Sequence, residues 1–174
     1  MGIASVIFLV LSSVFLGVTY TRSVQPLHLS DKGVKDAFAV CRKNRSLSGL
    51  GETLVLLAYI VYALWGTDIL GTISDVLWVH LSIGIVLLVS GGTVMAIGIR
   101  HAGKETMRPG AAKELFTGIY DHVRHPQTTG TILVWIGTAF ILNRVDLIVH
   151  AVLLSCVYVV ATVLEERDLV LRFG

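Results

Sequence analysis

Charged side chains are what this sequence has least of. Only 15% of its 174 residues are Asp, Glu, Lys or Arg, where a soluble domain carries roughly 25%. With 54% hydrophobic residues, lipid rather than water is the expected solvent. The formal net charge of +2 is too small to attract nucleic acid, and no basic-aromatic stripe or zinc-finger spacing accompanies it. Nucleic acid is therefore excluded as a partner. Cysteine is also scarce. Cys41 falls in a polar stretch and Cys156 in an apolar one, so they are not expected to pair and both are read as reduced. Phosphate-cradling loops are missing: there is no G-x-x-x-x-G-K-[ST], and no G-x-G-x-x-G behind a strand. A soluble Rossmann-type cofactor domain is excluded on that ground. There is no internal repeat and no low-complexity tract.

What is present is a series of five apolar stretches, at about residues 3–20, 50–66, 76–99, 128–142 and 145–164. A spanning helix needs about 20 mostly apolar residues. The expected fold is therefore all-α: a polytopic membrane protein with five transmembrane helices, forming one domain over residues 1–174. The fourth stretch is short and threonine-rich. Only Asn143-Arg144-Val145-Asp146 separates it from the fifth, which predicts a tight antiparallel helix hairpin. The first stretch has no positive n-region and no A-x-A-like cleavage site, so a retained helix is expected. The segment Asp31 to Ser48 reads equally as a short interfacial helix or a solvated loop. Of the 14 Lys and Arg residues, all but Arg144 fall on one side of this topology. The positive-inside rule then sets the N-terminus outside or lumenal and the C-terminus in the cytosol; in a eukaryote the membrane would be that of the endoplasmic reticulum.

Ionisable residues against apolar helices are costly, about 2.5–3.5 kcal/mol at a helix centre, and so mark candidate sites. Glu165-Glu166 end the last apolar run, and Arg124-His125 immediately precede the fourth. The hairpin brings these two pairs to the same membrane face. They form either a polar site or a salt bridge that caps the hairpin. Pro126 suits the first turn of a helix and keeps His125 out of it. Gly118 and Gly130 allow close backbone approach, and Gly91-Gly92 with Gly98 read as close helix packing. His80 and His150 are expected as hydrogen-bonded core residues. His122, His125 and the nearby glutamates lack zinc-ligand spacing, so no metal is expected.

The run from Leu115 to Gly130, with Gly118, Tyr120 and Arg124-His125-Pro126, resembles the L-V-x-x-G-x-Y-x-x-x-R-H-P-x-Y-x-G segment of small membrane methyltransferases. These are the isoprenylcysteine carboxyl methyltransferases and their phospholipid methyltransferase relatives. Glu165-Glu166 through Gly174 is similar to their E-E-x-x-L-x-x-x-F-G. The resemblance covers about residues 106–174. It implies S-adenosylmethionine as methyl donor and a membrane lipid or lipid-modified acceptor. In that family pattern Lys113, Glu114, Leu115 and Phe116 would line the adenosine side. Tyr120 and the backbone near Gly118 would hold the cofactor, with Thr106 as a further contact. His125, Pro126, Gln127 and Thr128 would form its other wall, and Glu165 would hold a polar end. Arg124, His125, Glu165 and Glu166 are then the expected catalytic cluster, with His125 or a glutamate taking the proton of an amine acceptor.

Four positions depart from the pattern. Thr128 stands where the family has Tyr, and Lys113-Glu114 replaces a His-containing pair. Ala161 stands where the isoprenylcysteine branch has an Arg expected to hold the substrate carboxylate. The sequence also ends at Gly174, where the family continues with a Tyr-bearing segment, so a truncated or divergent member is expected. Isoprenylcysteine O-methylation is the first expected activity and phospholipid amine N-methylation the second. A non-catalytic membrane scaffold and a nicotinamide-dependent membrane reductase stand as rivals.

Overall fold

The computed structural model describes residues 2–26, 34–103 and 118–173. Its elements in chain order are α1 (Gly2–Ser23), α2 (Val34–Trp65), α3 (Leu77–Ala102), a single-turn 3-10 helix (Gly118–Asp121), α4 (Pro126–Ile141) and α5 (Val145–Phe173). No strand occurs among the described residues. Among the described residues four helices are long and apolar enough to cross a membrane: Gly2–Ser23, Asp36–Trp65, Leu77–Ala102 and Val145–Leu171. Only 17–33% of each span is buried inside the protein, and large apolar side chains such as Ile3, Trp78 and Leu153 point outward. In water such a surface would drive aggregation; in a bilayer it is the solvated surface. The chain is an integral membrane protein.

One expectation needs correction. The polar stretch before the second span is neither a loop nor a separate interfacial helix. From Val34 onward it is the first half of α2. Its apolar and small residues explain why. Ala37, Phe38, Cys41 and Ser48 are buried, at helical spacing that continues into Val55, Tyr59 and Tyr62.

Two close-packed helix pairs make up most of the molecule. α1 lies along α2, and α3 along α4, while α5 touches α1 and α4. On α1 the buried stripe is Ser5, Leu9, Ser12, Leu16, Thr19 and Ser23, an alternating four-three spacing. Its hydroxyls donate to carbonyls one turn back, as Ser12 does to Leu9 at 3.0 Å, so small polar residues sit at the seam without orphan groups.

The α3–α4 seam is built on glycine. A Cβ on Gly130 would lie 2.5 Å from the Gly91 carbonyl oxygen and 2.6 Å from the Met95 nitrogen. A Cβ on Gly91 would lie 2.7 Å from the Gly130 carbonyl oxygen, and Gly84 meets Gly137 in the same way. Gly92 has nothing within 4 Å, so of the neighbouring pair only Gly91 packs. Aromatic rings fill the space between the pairs: Tyr59 lies 5.3 Å from Trp135 and Tyr20 5.1 Å from Tyr158, centroid to centroid.

Both core histidines are hydrogen-bonded. His80 Nδ1 lies 3.2 Å from the Phe140 carbonyl oxygen. His150 Nε2 lies 2.9 Å from Ser13 Oγ and Nδ1 3.0 Å from the Tyr59 hydroxyl. The end of the molecule away from the candidate site is pinned by two residues of the α4–α5 link. Asn143 takes a positive φ of 54°, which Asn tolerates better than most residues. Its amide oxygen accepts from the Ile73 and Ser74 nitrogens at 3.0 and 3.1 Å. Arg144 donates to the Thr67 carbonyl at 3.0 Å and pairs with Asp146 at 3.3 Å.

Candidate active site

The site lies where α1, α3 and α5 end and α2 and α4 approach. Gly118 begins its 3-10 turn with φ +74°, and a Cβ there would meet the His101 ring at 2.6 Å. Both constraints call for glycine. His101 Nδ1 accepts from the Ile119 backbone N–H at 3.0 Å, and Asp121 accepts from the Gly118 N–H at 2.9 Å. The turn is thereby fixed against the end of α3.

It carries Tyr120, whose hydroxyl donates to the Gly98 carbonyl at 3.2 Å and accepts from the Gln127 amide at 2.9 Å. Gly98 is the position where α3 meets Pro126, at 3.0 Å from its would-be Cβ. Burial raises the Tyr120 hydroxyl above its ordinary range, opposed in part by the Gln127 hydrogen bond. It stays a protonated donor at physiological pH.

His125 (φ −130°, ψ 68°) is non-helical and precedes Pro126 at the first turn of α4. Its carbonyl accepts from the Thr129 N–H at 3.0 Å, so its imidazole is free to turn away from the helix. Nε2 lies 2.8 Å from Glu166 Oε1. Because a carboxylate only accepts, Nε2 donates to Glu166. Arg124, 81% exposed, reaches the same oxygen through Nε at 3.1 Å. The two glutamates are neighbours in sequence but differ in use. Glu166 is engaged by Arg124 and His125. Glu165 has no ion pair among the described residues and lines the adjoining cavity.

That cavity holds about 260 Å³. Tyr120, Arg124, His125, Pro126, Gln127, Thr128, Glu165 and Glu166, all expected from sequence, line it. Gly118 does not line it; it shapes the turn that presents Tyr120. Thr106, Lys113, Glu114, Leu115 and Phe116 lie outside the described residues. Thr128, in place of the family's aromatic, has its hydroxyl 3.1 Å from that of Thr162 on α5. Ala161 is fully buried and not part of the cavity wall. Sequence reasoning missed Tyr20, Arg45, Ala102, Leu169 and Val170, which complete the lining. For Arg45 a signal existed: Phe38, Arg45, Glu52 and Tyr59 recur every seven residues and share one face of α2.

The family model for phospholipid methyltransferases matches residues 79–174, more than half of the chain. The chain belongs to the phospholipid methyltransferase family. The matched stretch of this membrane methyltransferase runs from α3 to the C-terminus and contains Tyr120, His125, Glu165 and Glu166. It leaves out α1 and α2, so Tyr20 and Arg45 reach the cavity from helices beyond the family match. No curated protein and no solved structure matches the chain.

Proposed function

We propose that this protein transfers a methyl group from S-adenosylmethionine to the polar end of a lipid-anchored acceptor at the cytosolic membrane face. The observation that carries it is one cavity shared by Glu165, a carboxylate with no ion pair among the described residues, Tyr120, whose hydroxyl is held by Gln127, and a histidine oriented by Glu166. The donor set suits the cofactor. It is a cation-bearing nucleoside, and the cavity offers it the Glu165 carboxylate, which has no ion pair among the described residues, and the aromatic ring of Tyr120. When bound, S-adenosylmethionine supplies an electrophilic methyl group on a sulfonium. Lys113 to Phe116 and Thr106 would complete the adenosine side, with Gln127 and Thr128 opposite.

The protein's task in an in-line displacement is positioning, which can contribute about 7–11 kcal/mol. Glu165 holds the donor's cationic end. Glu166 fixes the His125 ring, with Arg124 closing the rim. A carboxylate acceptor needs no base. An amine acceptor must lose a proton, and His125 Nδ1 takes it. The family favours a phospholipid amine, and Ala161, buried and uncharged, leaves the carboxylate clamp of the isoprenylcysteine branch unfilled.

The clustering of Lys and Arg at this end supports a cytosolic site with an outside or lumenal N-terminus. α4, 16 residues long, spans about 24 Å, less than the roughly 30 Å hydrocarbon core. We infer that it crosses as the shorter arm of a hairpin with α5, as the fifth membrane helix.

The test is methyl transfer itself. Membranes containing the protein are supplied with S-adenosylmethionine labelled in the methyl group, and lipids are extracted. Label in a lipid fraction is expected, and where the acceptor is an amine His125→Gln should reduce it roughly 100-fold. An unlabelled lipid extract from membranes holding folded protein would refute the proposal.

A further inference from the structure

The inward face of α2 carries two charged residues, Arg45 and Glu52, one heptad apart and within electrostatic reach of each other. Glu52 accepts a hydrogen bond from the Tyr158 hydroxyl at 3.2 Å, and Tyr158 accepts from the Trp135 indole at 3.3 Å. Arg45, one heptad earlier, makes no ion pair among the described residues. Its guanidinium carbon lies 5.1 Å from the centroid of the Tyr20 ring, and it approaches the Tyr20 hydroxyl. Its Nε is buried with no hydrogen-bond partner. The same side chain lines the cavity that holds Glu165 and His125.

A cation at the edge of a membrane span is retained at a cost unless something answers its charge. A guanidinium presents a planar fork of donors matched to the oxygens of a carboxylate or phosphate. Stacking on Tyr20 holds that plane in one orientation before any ligand arrives. The helices divide the work. Tyr120 and Gln127 are tied to each other and to α3, so with Glu165 on α5 the donor-side residues come from the α3–α4 pair and α5. Arg45 and Tyr20 belong to the α1–α2 pair.

We propose that Arg45 binds the oxyanion of the methyl acceptor, a phosphate or carboxylate carried on a hydrocarbon chain, and so sets acceptor specificity. The assignment rests on the methyltransferase function proposed above only for the word acceptor; the oxyanion site stands on its own geometry.

Thermal unfolding of the full chain in detergent tests it, for wild type, R45Q and R45K. The probes are S-adenosylhomocysteine, a short-chain phosphatidylethanolamine and S-farnesylcysteine. At least one of the two lipid probes is expected to stabilise wild type; which one distinguishes phosphate from carboxylate. R45Q should weaken that binding about tenfold or more, the effect of losing a charge-assisted hydrogen bond. R45K, which keeps the charge but not the fork, should fall between. The response to S-adenosylhomocysteine should survive in both variants, which a merely structural role for Arg45 would not allow.

The proposal is overturned if R45Q binds both lipid probes as wild type does. It is also overturned if neither probe binds wild type, or if R45Q loses the S-adenosylhomocysteine response along with the lipid one. Arg45-dependent lipid binding in a wild-type protein that ignores S-adenosylhomocysteine would support the oxyanion site while removing the proposed cofactor.

Discussion

Replacing Gly130 by alanine adds one methyl group at the tightest point of the α3–α4 seam. The new Cβ would sit 2.5 Å from the Gly91 oxygen, 2.6 Å from the Met95 nitrogen and 2.7 Å from the Met95 Cβ. Two of these are backbone atoms of a continuous helix and cannot swing aside. Overpacking costs about 1–3 kcal/mol, and backbone opposition puts this case at the upper end. Alanine in a helix offsets roughly 1 kcal/mol of that relative to glycine. The net expectation is a loss of about 2 kcal/mol. Gly92→Ala supplies the internal control: with nothing within 4 Å of the new methyl group, only the propensity term remains, and stability should hold or rise by up to about 1 kcal/mol. Reversible denaturant unfolding in mixed micelles, followed by tryptophan fluorescence, reads both. Because Gly98 and Pro126 lie on the same seam as Tyr120 and His125, Gly130→Ala should also weaken donor binding. Equal stability of the two variants would refute the glycine-seam explanation of how the site is positioned.

Three further outcomes are expected. Tyr120→Phe removes a hydroxyl bonded to both Gly98 and Gln127, and should cost about 0.5–1.5 kcal/mol for each hydrogen bond lost, read by unfolding, with weaker S-adenosylhomocysteine binding by thermal shift. His125→Gln should lower kcat by roughly 100-fold or more on an amine acceptor but have far less effect on a carboxylate acceptor, with Glu166→Gln acting in the same direction less strongly; labelled-methyl assays on both acceptors check this. Arg144→Met leaves Asp146, 10% exposed, without the partner that pairs with it at 3.3 Å; a loss of about 3–5 kcal/mol is expected, with the donor dissociation constant unchanged in the protein that remains folded.

Much of the site was legible because its signals are local. Pro126 predicts a helix start, and His125 indeed stands outside the helix before it. The short link after α4 predicts that residues forty apart meet, and His125 and Glu166 do, at 2.8 Å. What was not legible depends on neighbours that sequence spacing does not name. Glu165 and Glu166 are alike as letters, but one helical step separates a carboxylate held by Arg124 and His125 from one with no ion pair among the described residues. α4 packs chiefly on α3 through glycines, a partnership hidden by the shorter connection to α5. The polar start of α2 resembled a loop because charge masks periodicity: Arg42 and Lys43 are exposed while Cys41 and Ser48 on the same helix are buried. Arg45 lay inside that masked stretch.

The central claim is that the cavity of Tyr120, His125 and Glu165 binds the methyl donor. Titration of the purified protein with S-adenosylhomocysteine, followed by unfolding, tests it most directly. At a hundredfold excess over Kd the native state should gain about 2.7 kcal/mol, and Glu165→Gln should remove most of that gain. A wild-type protein that stays folded in detergent and shows no stabilisation at millimolar ligand, or one whose stabilisation is untouched by Glu165→Gln, would contradict it.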